Sequence, residues 1–293
     1  MAYLDFSIDK AAASGSQRAS SKRSKYPLSG KSRRLSLALQ GGGSFGAFTW
    51  GVLDRLLQEE HIAFDAISGA SAGAMNAVLL ASGLAEGGRE TARVRLERFW
   101  RKISQAGGPG RLVPGGSVLS AAATQTLSPY QFNPFGLNPL KEILAEEVDV
   151  DAVRAKEPVR LLLGTTRVSD GTLRIFRTDA LTFDVVLASA CLPHLHHAVT
   201  IDGEAYWDGG YAANPPLMPL VTATKASDVL VVQIIPANHS ELPTTSPEIG
   251  KRLSQITFNN SLQKDLQALS MMTKLSSGGR HSDFAPGPET AAA

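Results

Sequence analysis

Apolar and polar residues alternate through Leu35-Ser36-Leu37-Ala38-Leu39, and the run stops at Gly41-Gly42-Gly43. Apolar positions then recur at helical spacing from Ala47 to Glu60. A period of two predicts a strand and a period near 3.6 a helix, so the segment is strand, turn, helix. Phe64-Asp65-Ala66-Ile67-Ser68 leads into Gly69-Ala70-Ser71-Ala72-Gly73 and an Ala-rich apolar stretch to about Ser82, a second unit of the same kind. A charged helical stretch follows from about Thr91 to Ile103. Residues 104–139 are dense in Gly and Pro yet carry Leu112, Tyr130, Phe132 and Phe135. Irregular segments of that length in compact domains are usually functional or disordered, and the apolar content predicts a cap or lid. Asn138-Pro139 predicts a helix start, because Asn caps free N–H groups and Pro tolerates the first helical position, with the helix over Leu140 to Val148.

Val159 to Val168 and Thr172 to Thr178 flank Ser169-Asp170-Gly171, a hairpin signature, and Ile201-Asp202-Gly203 suggests another. Asp228 to Ile235 is a continuous apolar run of buried-strand type. Ile249, Leu253, Ile256, Leu262, Leu266 and Leu269 predict a long amphipathic helix. Strands separated by helices, apolar enough to be covered on both faces, predict an α/β fold: a three-layer α/β/α sandwich with a mostly parallel central sheet.

At 293 residues, 43% hydrophobic and 19% charged, the composition suits one large globular domain over 35–275 with a flexible tail at 276–293. The formal charge of +2 hides an asymmetry: residues 1–34 hold eight Lys or Arg against Asp5 and Asp9, leaving 21 bases and 25 acids for the remainder. That first segment, poor in large apolar groups, is expected to be a disordered basic arm that attracts anionic lipid or serves as an address. A nucleic-acid partner is not expected, since the basic excess lies outside the folded body. The lone Cys191 excludes an internal disulfide and a multi-Cys zinc site. No apolar run reaches the roughly 18 residues of a membrane helix and no secretory h-region is seen, so a cytoplasmic protein, peripheral at a lipid surface, is expected.

Gly69-Ala70-Ser71-Ala72-Gly73 fits G-x-S-x-G, whose small flanking residues permit the cramped strand-to-helix turn that presents a serine hydroxyl. A packed Gly/Ala turn is the plainer alternative. Gly41 to Gly46 has two chemical readings. As G-x-G-x-x-G it would cradle a dinucleotide, but the acid that reading wants at the end of the second strand is absent, Asp65 lying near the beginning. As an oxyanion hole, its bare backbone N–H groups would meet the charge on a tetrahedral intermediate.

Together with Trp207-Asp208-Gly209-Gly210, these pieces resemble the patatin-like phospholipase family, which combines a glycine-rich loop, G-x-S-x-G and a later D-G-G or D-G-A in this order. Gly51-Val52-Leu53, Ala188-Ser189-Ala190-Cys191-Leu192-Pro193 and Asn214-Pro215-Pro216 extend the resemblance over roughly residues 35 to 235. It implies a fatty-acyl ester hydrolase with Ser71 as nucleophile, Asp208 as general base and an oxyanion hole from Gly41, Gly42, Gly43 and Ser44. Gly69 and Gly73 would shape the elbow, and Gly209 and Gly210 the turn after the acid. The implied substrate is a lipid ester, with no cofactor and no metal. One departure stands out: the family's loop usually carries Arg or Lys where this chain has Phe45.

His194, His196 and His197 precede Asp208 and leave open a Ser-acid-His triad, for which His239 is a further candidate, or a metal site. Packing along the substrate wall is the plainer expectation. A catalytically silent lipid-binding module is the remaining alternative.

Overall fold

The computed structural model describes residues 33–106, 127–238 and 240–276, all within the compact unit Ser32–Ala293. The basic arm up to residue 32, most of the expected cap (107–126), His239 and the tail from 277 lie outside the described residues.

Among the described residues seven strands form one sheet: β1 Arg33–Leu39, β2 Ile62–Gly69, β3 Arg160–Arg167, β4 Leu173–Arg177, β5 Val199–Ile201, β6 Glu204–Asp208 and β7 Asp228–Val232. β7, β1, β2 and β3 pair in parallel in that order. β4 and β6 run antiparallel to β3, and β5 antiparallel to β6, so five of the seven described strands share one direction. Both expected hairpins form. Asp202 and Gly203 have φ of 51° and 84°, the two left-handed positions of a turn that suits twisted strands.

β3 is the strand that assembles the site. β4 pairs with it over residues 162–166, overlapping both other partners, so β2 and β6 must share its opposite edge. β2 occupies the first half, ending with Gly69 opposite Leu163; β6 takes the second, with Asp208 opposite Thr165. The chain turns just past Gly69 into Ser71, and this division of one edge brings two sequence-distant strand ends together.

The nine helices of the described residues are α1 Gly46–Leu57, α2 Ala72–Gly87, α3 Arg89–Gln105, α4 Pro129–Phe132, α5 Pro139–Glu147, α6 Val150–Lys156, α7 Phe183–Ser189, α8 Leu217–Ala223 and α9 Ser246–Ser276. Because side chains alternate across a strand, Leu37, Leu39, Ile67, Leu161 and Leu163 enter the large core with α1, α2 and α3. Ala38, Ala66 and Leu162 face the other way, against Leu217 and Leu220 of α8 and Leu262 of α9. These are the three layers.

Several local expectations change. β1 begins at Arg33, whose Nε donates to Asp228 Oδ2 at 3.1 Å, so Arg33 and Arg34 belong to the sheet rather than the arm. β7 stops at Val232 and pairs only with β1 among the described residues; as an edge strand it is only partly covered, and Leu230 is exposed. On α9 the apolar stripe is largely outside: Ile249, Leu253, Ile256 and Leu266 are exposed, while Phe258, Asn259 and Leu262 are buried. α2 runs on to Gly87. The helices α6, α7 and α8 carry no sequence signal, because seven residues make too few turns to display a period. Asp149 and Thr182 cap the first two by accepting from Ala152 N and Val185 N, at 2.8 and 3.1 Å.

Candidate active site

Ser71 stands between the end of β2 and the start of α2 with φ 55° and ψ −128°. A non-glycine residue held in so sparsely populated a region costs on the order of 1–3 kcal/mol, which its surroundings must offset. Its N–H donates to Ser189 O at 2.9 Å and also lies 3.2 Å from Ser189 Oγ, which in turn donates to Gly164 O at 2.7 Å. The Ser71 N–H is therefore engaged. Tight packing explains the small neighbours of the elbow: a Cβ on Gly73 would collide with the Leu39 carbonyl, and one on Gly69 with the Gly73 backbone.

The glycine-rich loop lies against this elbow. A Cβ on Gly41 would sit 2.6 Å from Ser71 Cβ, so only glycine brings the loop backbone this close. The Gly41 N–H donates to Asn214 Oδ1 at 2.7 Å, and Asn214 Nδ2 donates to the carbonyls of Gly41 and Phe258, each at 3.0 Å. Of the four expected oxyanion-hole residues, Gly41 thus has its N–H occupied. Gly42, Gly43 and Ser44 line a cavity of about 370 Å³ together with Ser71. A smaller cavity of about 90 Å³ is also lined by Ser71 and is walled by Met75, Phe99, Trp100, Ile103 and Leu140.

Asp208 ends β6 with no exposed surface. Its Oδ1 accepts from Gly210 N at 2.8 Å, its carbonyl accepts from Thr166 Oγ1 at 2.8 Å, and its N–H donates to Cys191 O at 2.8 Å. Burial pushes its carboxyl up to about 7, and the Gly210 N–H and the Ser71 hydroxyl pull only partly back. The hydroxyl is close enough to exert that pull but does not reach full hydrogen-bond geometry, and Oδ2 is buried without a partner among the described residues. Such contacts are commonly loose before substrate binds.

No histidine hydrogen-bonds to Ser71 or Asp208 among the described residues. His197 Nε2 lies 3.1 Å from Pro129 O and its ring stacks on Tyr130 with centroids 4.1 Å apart, tying this segment to α4. His196 lines the smaller cavity, where burial and then His197 lower its pKa. Among the described residues no three His, Cys, Asp or Glu come together as a metal-binding group. Cys191 is buried, its Sγ donating to His197 O at 3.0 Å and its thiol pushed up to about 12 by burial and then by Asp208. Asp65, four residues before the end of β2, is locked by Arg160 Nη2, Thr224 Oγ1 and Lys225 N at 2.6, 2.9 and 2.7 Å.

Four positioning residues escaped the sequence reading. Ser189 and Asn214 lie in the blocks that carry the family resemblance, but their letters do not reveal their bonds. Buried Gln40 accepts from the N–H groups of Ile234 and Ile235, both at 2.8 Å, and donates to Asn259 Oδ1 at 3.1 Å, joining β1 to α9. Asn76 donates to Gly46 O and Ala72 O and accepts from Trp100 Nε1, fastening α2 to α1 and α3.

A three-layer α/β protein with a serine on a strained strand-to-helix elbow, a glycine-rich loop against it and a buried carboxylate beside it is the class that fold and site define. The family model described as patatin-like phospholipase matches residues 37–221, and the chain belongs to that family. The uncharacterized protein YjjU of Escherichia coli (strain K12) is 28% identical over 238 residues, covering 78% of this chain and 59% of that protein, so the chain spans about three fifths of this relative's length. Among solved structures, VipD from Legionella pneumophila is 19% identical with a TM-score of 0.37, over 69% of this chain and 49% of that one. ExoU, in its heterodimeric complex with SpcU from the type III secretion system of Pseudomonas aeruginosa, is 17% identical with a TM-score of 0.37, over 81% of this chain and 52% of that one.

Proposed function

We propose that this protein is a serine acyl-hydrolase that cleaves fatty-acyl esters of lipids through Ser71 and Asp208. The observation that carries the proposal is the convergence of Ser71, on its strained turn, with a fully buried carboxyl whose pKa is raised to about 7. Family membership supports a lipid hydrolase, and the apolar walls of the smaller cavity suit an acyl chain.

Ser71 Oγ attacks the ester carbonyl as its proton passes to Asp208. The carbonyl oxygen, now negative, is met by backbone N–H groups of the Gly42-Gly43-Ser44 loop. Collapse of the intermediate expels the alcohol, which takes the proton from Asp208. Water then attacks the acyl-enzyme, giving its proton to Asp208, and the second collapse returns that proton to Ser71 as the fatty acid leaves. A raised pKa fits a carboxylate for this work, because a base is most effective when its pKa lies near the working pH. Phe45 and Phe48, 60% and 63% exposed beside the loop, suit transient contact with a lipid surface.

The test is labelling by a fluorophosphonate together with hydrolysis of p-nitrophenyl acyl esters. Both are expected in the native protein and absent in Ser71→Ala. Labelling or turnover that survives this substitution would sink the assignment, and lipid retention without either activity would point to a silent binding module.

A further inference from the structure

The smaller cavity takes its walls from two helices that no short connection joins. α3 supplies Phe99, Trp100 and Ile103 and α5 supplies Leu140, with residues 106–138 lying between the two helices in the chain. How closely they approach is therefore set by the side chains at their contact. Leu144, one turn beyond Leu140, is fully buried in the same core as Phe99 and Ile103. Apolar contact is non-directional, so it holds the helices together without fixing their relative position.

Glu147, at i+3 from Leu144 and i+7 from Leu140, continues that face of α5. Its Oε2 accepts from Arg98 Nε at 3.0 Å and lies 2.9 Å from Arg98 Nη2, while its Oε1 accepts from Lys102 Nζ at 2.7 Å. Lys102 also pairs with the more exposed Glu146, and Arg95, one turn earlier on α3, donates to the Glu147 carbonyl. Next along the chain, Asp149 N donates to Ser82 Oγ of α2 at 2.8 Å. The C-terminal end of α5 is thus anchored, and its other end, roughly 10 Å away at about 1.5 Å per residue, forms the cavity wall. The carboxylate side chain is 2% exposed, against 54% for Arg98 and 34% for Lys102. Water can replace Glu147 as a partner of either cation, but nothing else reaches the buried anion, so α5 stays where both cations meet it. Replacing such a cluster by apolar side chains is often neutral for stability, and what the charges add is a fixed geometry.

We propose that Glu147 is a positioning residue for acyl-chain selection: clamped by Arg98 and Lys102, it holds α5 at the distance from α3 that keeps Leu140 in contact with a long acyl chain. The inference rests on the acyl-hydrolase proposal and deepens it by naming what sets the chain-length preference. Glu147 takes no part in the bond-making steps.

The experiment measures kcat/KM of the full-length protein on p-nitrophenyl palmitate and p-nitrophenyl butyrate in neutral detergent micelles, together with the rate of fluorophosphonate labelling. Glu147→Gln keeps the size of the side chain and removes its charge. The palmitate-to-butyrate ratio should fall about tenfold, the size expected for losing contact with about two methylenes, whereas labelling, which reads the elbow, should slow far less. Lys102→Gln leaves Arg98 in place and should lower the ratio part of the way, and Lys102→Arg should keep it. Because Lys102 is partly exposed, its two variants decide the matter if Glu147→Gln fails to fold. A ratio unchanged in the Gln variants would overturn the proposal, even with a lowered melting temperature. So would equal losses on both esters and in labelling, since Glu147 would then support the fold as a whole. If the native protein neither labels nor turns over either ester, the hydrolase proposal itself fails and this one with it; turnover with an unchanged ratio removes only Glu147.

Discussion

Asn214 grips Gly41 with both ends of its amide, Oδ1 accepting the Gly41 N–H at 2.7 Å and Nδ2 donating to the Gly41 carbonyl at 3.0 Å. The glycine-rich loop is thereby fixed from a residue 173 positions away in the chain. Asn214→Ala leaves the buried N–H and C=O of Gly41 unpaired, which costs on the order of 1–3 kcal/mol for each group left unsatisfied. The loop then loses its fixed aim at Ser71. We expect kcat to fall about 10- to 100-fold on p-nitrophenyl esters with KM little changed, and the rate of fluorophosphonate labelling to fall in parallel. A change confined to thermal stability would make Asn214 a purely structural residue.

The backbone at Ser71 yields a stability prediction independent of catalysis. With φ at 55° and ψ at −128°, the position favours glycine over any residue with a Cβ. Ser71→Ala and Ser71→Gly should both be inactive, but Ser71→Gly should be the more stable by about 1 kcal/mol, the relief of strain being partly offset by the greater freedom of glycine in the unfolded chain. Denaturant midpoints of the two variants decide the matter. Equal midpoints would mean that the elbow is held without strain.

Asp208 links activity and stability with opposite signs. Its carboxyl titrates near 7 when folded, against about 3.9 for an ordinary Asp, so between those values the folded state holds a proton that the unfolded state has lost. Stability therefore declines as pH rises through that window, by roughly 4 kcal/mol in full. Activity instead rises with pH through about 7, because the base must be ionised. Asp208→Asn should be inactive yet more stable than the native protein at pH 8, and the gap should close below about pH 4. Thermal melts of both proteins across this range test the sign, while kcat of His194→Gln, His196→Gln, His197→Gln and His239→Gln tests whether any histidine shares the role. One histidine variant as inactive as Ser71→Ala would move the base to that residue.

The smaller cavity sets the preference for acyl length. Met75, on the first turn of α2, lines it beside Ser71 together with Phe99 and Ile103. Met75→Trp takes up space in it, so kcat/KM on a palmitate ester should drop about tenfold further than on a butyrate ester, since excluding about two methylenes forfeits about 0.8 kcal/mol each. Equal losses on the two esters would place the long chain elsewhere.

The amino-acid sequence alone determined the strands, the two glycine turns, the hairpins and the order of the three motifs, because each rests on local periodicity or on backbone freedom that specific residue types supply. Gly43 and Gly203 fit that account, with φ of 60° and 84°, whereas the crowding that requires Gly41 and Gly73 comes from neighbours that only the folded chain supplies. What the sequence left undecided were relations between distant segments. That Gly69 and Asp208 end on one edge of β3 follows from strand register, which no local pattern encodes. The bonds of Asn214, Gln40 and Ser189 are likewise invisible as letters, since a polar residue reveals its partner only once burial removes water as an alternative. The face that α9 turns toward the site went the same way. Its apolar spacing pointed to Ile249, Leu253, Ile256, Leu262, Leu266 and Leu269, yet of these packing of the finished domain buried only Leu262, together with Phe258 and Asn259, because a helix beside a completed sheet docks by the surface it meets rather than by its own most apolar stripe.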